Sequence, residues 1–207
     1  MRSISHFRYP LDRIFSASSH LPILRALQYS REGMSGRAIA REAFINHQAC
    51  AVAVKNLEAL GILRRQGSGK TQLIRLNFEN HLVKNSLLPL LRQEREFSKK
   101  VKNEIAETFK GDALAITLFG SAARGQDMPG SDIDALLLVD ESRKKNILNR
   151  ATAYSAVFIR QYGVRLSPVV MTIAEAKRRI KRSDPLLKNI LSEGIDLLPQ
   201  KLRNLLS

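Results

Sequence analysis

The strongest constraint on this chain is an apolar run that ends in glycine and is followed, after a polar loop, by two aspartates opening a second apolar run. The first run, Ala113–Phe119, predicts a buried strand, and Gly120 follows it directly. Glycine allows the backbone to turn sharply there and to approach a ligand closely. Asp132 and Asp134 begin the second run. The pattern predicts two strands with a functional corner between them.

The corner has the character of a phosphate cradle. Ser121 follows Gly120 at the predicted start of a small-residue helix, where free backbone N–H groups and the helix dipole favour an anion. The Ser121 hydroxyl adds one more donor. The alternative interpretation is an ordinary strand-to-helix turn.

The two aspartates predict a metal site. Residues two apart on a strand point to the same side, so Asp132 and Asp134 face one site while Ile133 faces the core. Adjacent carboxylates repel each other unless a hard divalent cation, Mg²⁺ or Mn²⁺, binds them through oxygen. The alternative interpretation is a polar strand edge.

The order of glycine turn, helix, loop and Asp-x-Asp strand resembles the signature of the nucleotidyltransferase superfamily, which contains DNA polymerase β and kanamycin nucleotidyltransferase. The short form is similar to the minimal nucleotidyltransferases of prokaryotes, and the resemblance covers residues 95 to 195. It implies an NTP as substrate or ligand, with Mg²⁺ or Mn²⁺ as cofactor. It assigns two catalytic metal ligands and four nucleotide-binding residues: Asp132 and Asp134 for the first role, and Gly120, Ser121, Arg124 and Ser131 for the second.

The resemblance also exposes a departure. Catalytic members usually carry a third carboxylate on a later strand, which completes a two-metal site. The candidate strand here, Gly163–Met171, contains no acid, and Arg165 or Ser167 stands where the carboxylate is expected. The missing carboxylate is expected to slow nucleotide transfer more than it weakens the binding of nucleotide and Mg²⁺.

Residues 10 to 80 predict a winged helix-turn-helix. An amphipathic helix within Pro10–Tyr29 is followed by a short helix that Ser35 caps, with Arg37 and Arg41 on one face. After a turn, a longer helix from Asn46 to Leu60 follows, closed by Gly61. Cys50, Ala53, Val54 and Leu57 have the spacing of a buried face on this helix.

The exposed side of this arrangement predicts contact with double-stranded DNA. His47, Gln48 and Lys55 face outward on the longer helix, whose first turn would enter the major groove. Two strand-like segments, Ile62–Gln66 and Thr71–Leu76, form a hairpin with a basic tip. We assign six residues to DNA binding: Arg37, His47, Gln48, Lys55, Arg65 and Lys70.

Charge favours a polyanionic partner. The formal net charge is +15, and the sequence pI is about 10.4. Lys and Arg exceed Asp and Glu by 12 to 5 in residues 1–80 and by 22 to 14 in residues 81–207. A single DNA-binding arm therefore does not account for the charge. The lone cysteine, Cys50, and the absence of a signal or membrane-spanning stretch predict a cytoplasmic protein.

We expect an α+β chain of three parts: a winged helix-turn-helix at 1–80, a helical linker at 81–110 and a nucleotidyltransferase-like domain with a small mixed sheet flanked by helices at 111–207. Leu87, Leu88 and Leu91 are expected to pack between the domains or against a second copy in a homodimer.

Two functions remain open. The chain is either a DNA-localised enzyme that transfers a nucleoside monophosphate to a protein or nucleic-acid hydroxyl, or a transcriptional regulator without turnover. In the second case the transferase-like domain binds only a nucleotide or a protein partner, and the resemblance implies an antitoxin-like role.

Overall fold

The computed structural model describes residues 5, 7–67 and 72–207. They divide into two units, one extending to Phe97 and the other spanning Ser98–Ser207. The described part of the first unit opens with helices and an antiparallel hairpin: α1 Pro10–Ile14, α2 His20–Leu27, α3 Gly36–Glu42, α4 His47–Ala59, β1 Leu63–Gln66 and β2 Leu73–Leu76. This order is that of a winged helix-turn-helix, which confirms the prediction.

Local sequence signals start the two helices of the helix-turn-helix. The Ser35 hydroxyl accepts a hydrogen bond from the Ala38 backbone N–H at 3.3 Å, and the Asn46 side-chain oxygen accepts one from the Ala49 N–H at 2.7 Å. These caps satisfy N–H groups that have no partner inside the helix. The predicted cap at Ser35 and the predicted helix start at Asn46 are both confirmed.

The core of this unit lies between α2, α4 and the hairpin. The four residues with buried-face spacing on α4, Cys50, Ala53, Val54 and Leu57, are all buried. Burial raises the pKa of the Cys50 thiol, so this side chain stays neutral and behaves as a small apolar group. The predicted core role of Cys50 is confirmed.

A short bridge joins the hairpin to the start of α3. The Met34 N–H donates to the Ile74 carbonyl at 2.9 Å, and the Ile74 N–H donates to the Met34 carbonyl at 2.8 Å. This pairing was not predicted, because Met34 lies in a short stretch with no strand pattern.

The segment after the hairpin is helical, as predicted. A π-helical turn at Val83–Leu87 leads into α5, Leu88–Phe109. Leu87 and Leu91 are buried in the core of the first unit, and Leu88 packs against it. Leu87 and Leu91 are therefore core residues of this unit, which corrects the prediction that they pack between the domains or against a second copy.

The described part of the second unit contains a mixed sheet in the order β5-β4-β3-β6. Its strands are β3 Ala113–Phe119, β4 Ile133–Val139, β5 Leu166–Thr172 and β6 Ile195–Asp196. β3 pairs antiparallel with β4 and β6, whereas β4 and β5 are parallel. A parallel pair requires a crossover, which helix α7, Lys144–Tyr162, supplies. The predicted small mixed sheet is confirmed.

Helices cover this sheet on both faces, which explains the continuous apolar sequence of β4. Leu137 and Val139 belong to a core with Phe158 of α7. Leu136 and Leu138 belong to a second core with Ile190. The remaining helices are α6 Gly120–Arg124, α8 Ile173–Lys181, α9 Pro185–Glu193 and α10 Leu202–Leu206. Within the residues described, none of the helices combines the length and apolar character needed to cross a membrane.

Candidate functional site

Asp132 and Asp134 form an acidic pair at the start of β4. Strand alternation places them on one side, while Ile133 between them packs against the core. Burial and, second, the negative charge of Asp132 raise the pKa of the Asp134 carboxyl. The two carboxylates are therefore close enough to repel each other, and a cation bound by both would relieve that repulsion.

Gly120 lies directly beside this pair. Its neighbour Phe119 is the register partner of Asp134 across the antiparallel strands. Gly120 has φ of +73°, and a Cβ atom at this position would lie 2.5 Å from the Asp134 Oδ2 atom. A side chain would thus strain the backbone and displace the carboxylate. The sequence predicts that Gly120 leaves room for a ligand. In the structure, the group that lies against Gly120 is the Asp134 carboxylate.

The two residues expected at the place of the third acid also lie beside the aspartates. The parallel register pairs Asp134 with Ser167, and the Ile133 N–H donates to the Arg165 carbonyl at 2.8 Å. The Arg165 Nε donates to the Asp132 Oδ1 at 3.2 Å. A positive charge therefore stands next to the acidic pair. The Arg165 side chain is 67% exposed, so solvent screens this ion pair.

Of the remaining residues assigned to nucleotide binding, Arg124 and Ser131 have hydrogen-bond partners within the protein. Ser121 lies in the first turn of α6 and is half-buried. At the end of that helix, the Arg124 guanidinium donates to a Glu193 carboxylate oxygen at 3.1 Å. The Ser131 hydroxyl oxygen accepts from the Met128 N–H at 2.9 Å and closes the loop before Asp132. Glu193 is far along the chain from Arg124, so sequence spacing did not reveal this ion pair.

A metal at this site would depend on few protein ligands. Among the residues that the structure describes, no group of three or more His, Cys, Asp or Glu side chains is placed to hold a metal ion. Mg²⁺ commonly uses one or two carboxylates together with substrate phosphates and water. Asp132 and Asp134 fit that donor set.

The residues assigned to DNA binding lie on the winged-helix unit. His47, Gln48 and Lys55 are exposed on α4, and Arg37 is exposed on α3. Arg65 is exposed on β1 but pairs with Glu58, the two side chains lying 2.7 Å apart. Lys70 lies outside the described residues. The described residues assigned to DNA binding are therefore all exposed, and Arg65 already forms an ion pair within the protein.

Two separate parts of the chain match known families. Residues 98–197 match the family described as the nucleotidyltransferase domain. Residues 16–72 match the family described as the MarR family. The matches cover the mixed-sheet unit and the winged helix respectively.

Two relatives come from Methanocaldococcus jannaschii. Both are named as candidate protein adenylyltransferases. The first is 32% identical over 99 residues, which make up 47% of this chain and 63% of the relative. The second is 34% identical over 92 residues, 42% of this chain and 84% of the relative. The chain thus spans less than two thirds of the first relative's length.

Proposed function

Because this chain belongs to the nucleotidyltransferase family and carries a MarR-like winged helix before that domain, we propose that it transfers AMP from ATP to a protein hydroxyl while bound to double-stranded DNA. The names of the two relatives support ATP as the nucleotide and a protein as the acceptor. A nucleic-acid hydroxyl is the competing acceptor.

The proposed reaction is a displacement at the α-phosphorus of ATP. The acceptor hydroxyl oxygen forms a new bond to that phosphorus, and the bond to the oxygen bridging toward the β-phosphate breaks. Pyrophosphate leaves, and the hydroxyl proton passes to solvent. Such reactions depend chiefly on positioning and on stabilising the charge of the phosphoryl oxygens.

The single observation that carries the proposal is the juxtaposition of Asp132, Asp134 and Gly120. The paired carboxylates would hold Mg²⁺ or Mn²⁺, which supplies positive charge against the phosphoryl oxygens when bound. Gly120 leaves room for the Asp134 carboxylate, and the Ser121 backbone and hydroxyl offer donors to phosphate. Arg124 reaches the nucleotide in this proposal by exchanging Glu193 for a phosphate.

The test is incubation of the full chain with Mg²⁺, α-labelled ATP and cellular protein or RNA. We expect label that stays attached to a polypeptide during denaturing electrophoresis. No label should be attached when EDTA removes the metal. Returning excess Mg²⁺ or Mn²⁺ should restore it. GTP, CTP and UTP labelled at the same position serve as matched comparators.

Metal-independent labelling would contradict the proposal, as would the absence of transfer from every nucleotide. Label on RNA alone would replace the protein acceptor with a nucleic acid.

A second function is favoured by one specific observation, the ion pair between Arg165 and Asp132. With Arg165 beside Asp132 and Ser167 opposite Asp134, a cation would find fewer negative charges than a three-carboxylate site provides. The alternative is a DNA-binding regulator whose second domain binds a nucleotide or a protein partner without turnover.

Replacing Arg165 by glutamine tests whether the positive charge beside Asp132 weakens metal binding. We expect Mn²⁺ to bind up to about fivefold more tightly, because an exposed ion pair contributes at most about 1 kcal/mol. Titration followed by electron paramagnetic resonance measures the affinity, and Arg160→Gln, at an exposed position on α7, is the matched control. Unchanged Mn²⁺ affinity with weakened ATP binding would instead make Arg165 a phosphate ligand.

A further inference from the structure

The winged-helix unit contains a surface cavity of about 570 Å³ that the proposed transfer does not use. Arginines from three parts of the unit line it: Arg31 after α2, Arg75 on β2 and Arg92 on α5. No acidic side chain lines the cavity in the part of the chain that the structure describes. Arginine stays protonated at any physiological pH, so three positive charges face one space.

These arginines lack the partners that others in the unit have. Arg64, for example, donates to Glu79 at 2.8 Å. Among the described residues, no ion pair or side-chain hydrogen bond engages Arg31, Arg75 or Arg92. Their charges are therefore available to an anion.

Two polar atoms at the cavity are buried without a hydrogen-bond partner among the described residues. They are the Arg75 Nε, a donor, and the Gln28 Oε1, an acceptor. The amide nitrogen of Gln28 donates to the Arg25 carbonyl at 3.2 Å, which fixes the oxygen as the free atom. Because buried polar atoms are nearly always satisfied, a ligand here would offer an acceptor to Arg75 and a donor to Gln28.

Arg75 lies on the side of the hairpin away from the core, while Phe78 and Leu88 of the cavity wall pack against that core. Ile74 is 4% exposed and points inward, so its neighbour Arg75 points to the opposite face of β2. Tyr29 and Phe78 add aromatic walls, and the Arg95 guanidinium lies 5.1 Å from the centre of the Tyr29 ring. Aromatic walls favour a planar ring in the ligand.

We propose that this cavity binds a nucleoside di- or triphosphate. Its phosphates contact the three arginines, its base packs against Tyr29 and Phe78, and an amino group of the base donates to Gln28. Guanidinium groups bind phosphate oxygens through charged, often bidentate hydrogen bonds. Three positive charges match a polyphosphate better than a single carboxylate, and the volume lies within the usual range for small ligands.

The test uses the full chain with Asp132→Asn and Asp134→Asn in EDTA, so that metal-dependent binding at the acidic pair does not contribute. Calorimetry then measures ATP, pyrophosphate, adenosine and benzoate. We expect ATP to bind at least about tenfold more tightly than the other three. Arg75→Met and Arg92→Gln should each weaken ATP binding about tenfold, whereas Arg41→Gln, an exposed arginine outside the cavity, should not.

Arg92 is exposed on a helix, so its variant keeps the test valid if Arg75→Met does not fold. Tyr29→Ala should weaken ATP binding but leave pyrophosphate unchanged. Equal affinity for ATP and benzoate, or equal effects of Arg92→Gln and Arg41→Gln, would overturn the proposal. The proposal is also overturned if ATP does not bind. If the cavity variants then weaken only DNA binding, the arginines contact DNA instead.

Discussion

Replacing Asp132 and Asp134 together by asparagine is expected to slow nucleotide transfer about a thousandfold. Metal-held carboxylates contribute several kcal/mol to stabilising transition-state charge, and each 1.4 kcal/mol is about tenfold in rate. Asparagine keeps the side-chain shape, which matters because the Asp134 carboxylate lies against Gly120. The substitution thus removes charge while preserving packing.

The measurement is the initial rate of label transfer from α-labelled ATP at saturating Mg²⁺. Asp140→Asn is the matched control, since Asp140 is exposed just beyond the opposite end of β4. The unfolding temperature should not fall in either variant, because neither removes a buried apolar contact and the double variant relieves the repulsion between the two carboxylates. Transfer that persists at the wild-type rate in the double variant would place the reaction elsewhere.

DNA affinity is expected to fall about a thousandfold between 50 and 200 mM salt. This follows if about six phosphates are contacted, because each contact releases condensed counterions. The net charge of +15 and the exposed Arg37 and Lys55 support such a footprint. Fluorescence anisotropy with one duplex at several salt concentrations gives the slope of log affinity against log salt.

Individual side chains should separate into two classes when the assay is repeated with several duplex sequences. Arg37→Ala and Lys55→Ala should each reduce the salt slope by about one, whereas His47→Ala and Gln48→Ala should alter sequence preference. Lys84→Ala, an exposed lysine after the hairpin, is the control.

The sequence also predicts weaker binding for Lys70→Ala and Arg65→Ala. The second effect should be the smaller, since Arg65 already pairs with Glu58. If DNA affinity does not change with salt concentration, the proposed contacts to DNA phosphates are wrong.

Elements defined by short-range signals were predictable from sequence. The caps at Ser35 and Asn46, the inward face of α4 and the strand Ala113–Phe119 depend on residues a few positions apart. Strand periodicity likewise placed Asp132 and Asp134 on one side of β4. The roles assigned to these residues in catalysis and binding stay predictions.

Long-range contacts at the site were not predictable in this way. Arg124 meets Glu193 and Arg165 meets Asp132 only because separate elements pack side by side. No periodicity or motif in a single sequence specifies which charged side chains will face each other across such a distance. The partners of Ser131 in its loop were missed because a turn hydrogen bond depends on backbone geometry.

The sequence by itself determined the order of helices and strands, the alternation that places the two aspartates on one side, and a glycine turn after the first strand, because local periodicity and backbone sterics govern these features. The tertiary structure alone decided that the Gly120 turn lies against Asp134, that Arg165 pairs with Asp132, and that Arg31, Arg75 and Arg92 surround one cavity. The physical reason is that electrostatic pairing depends on distance in space, which the packing of remote segments sets and their separation along the chain does not.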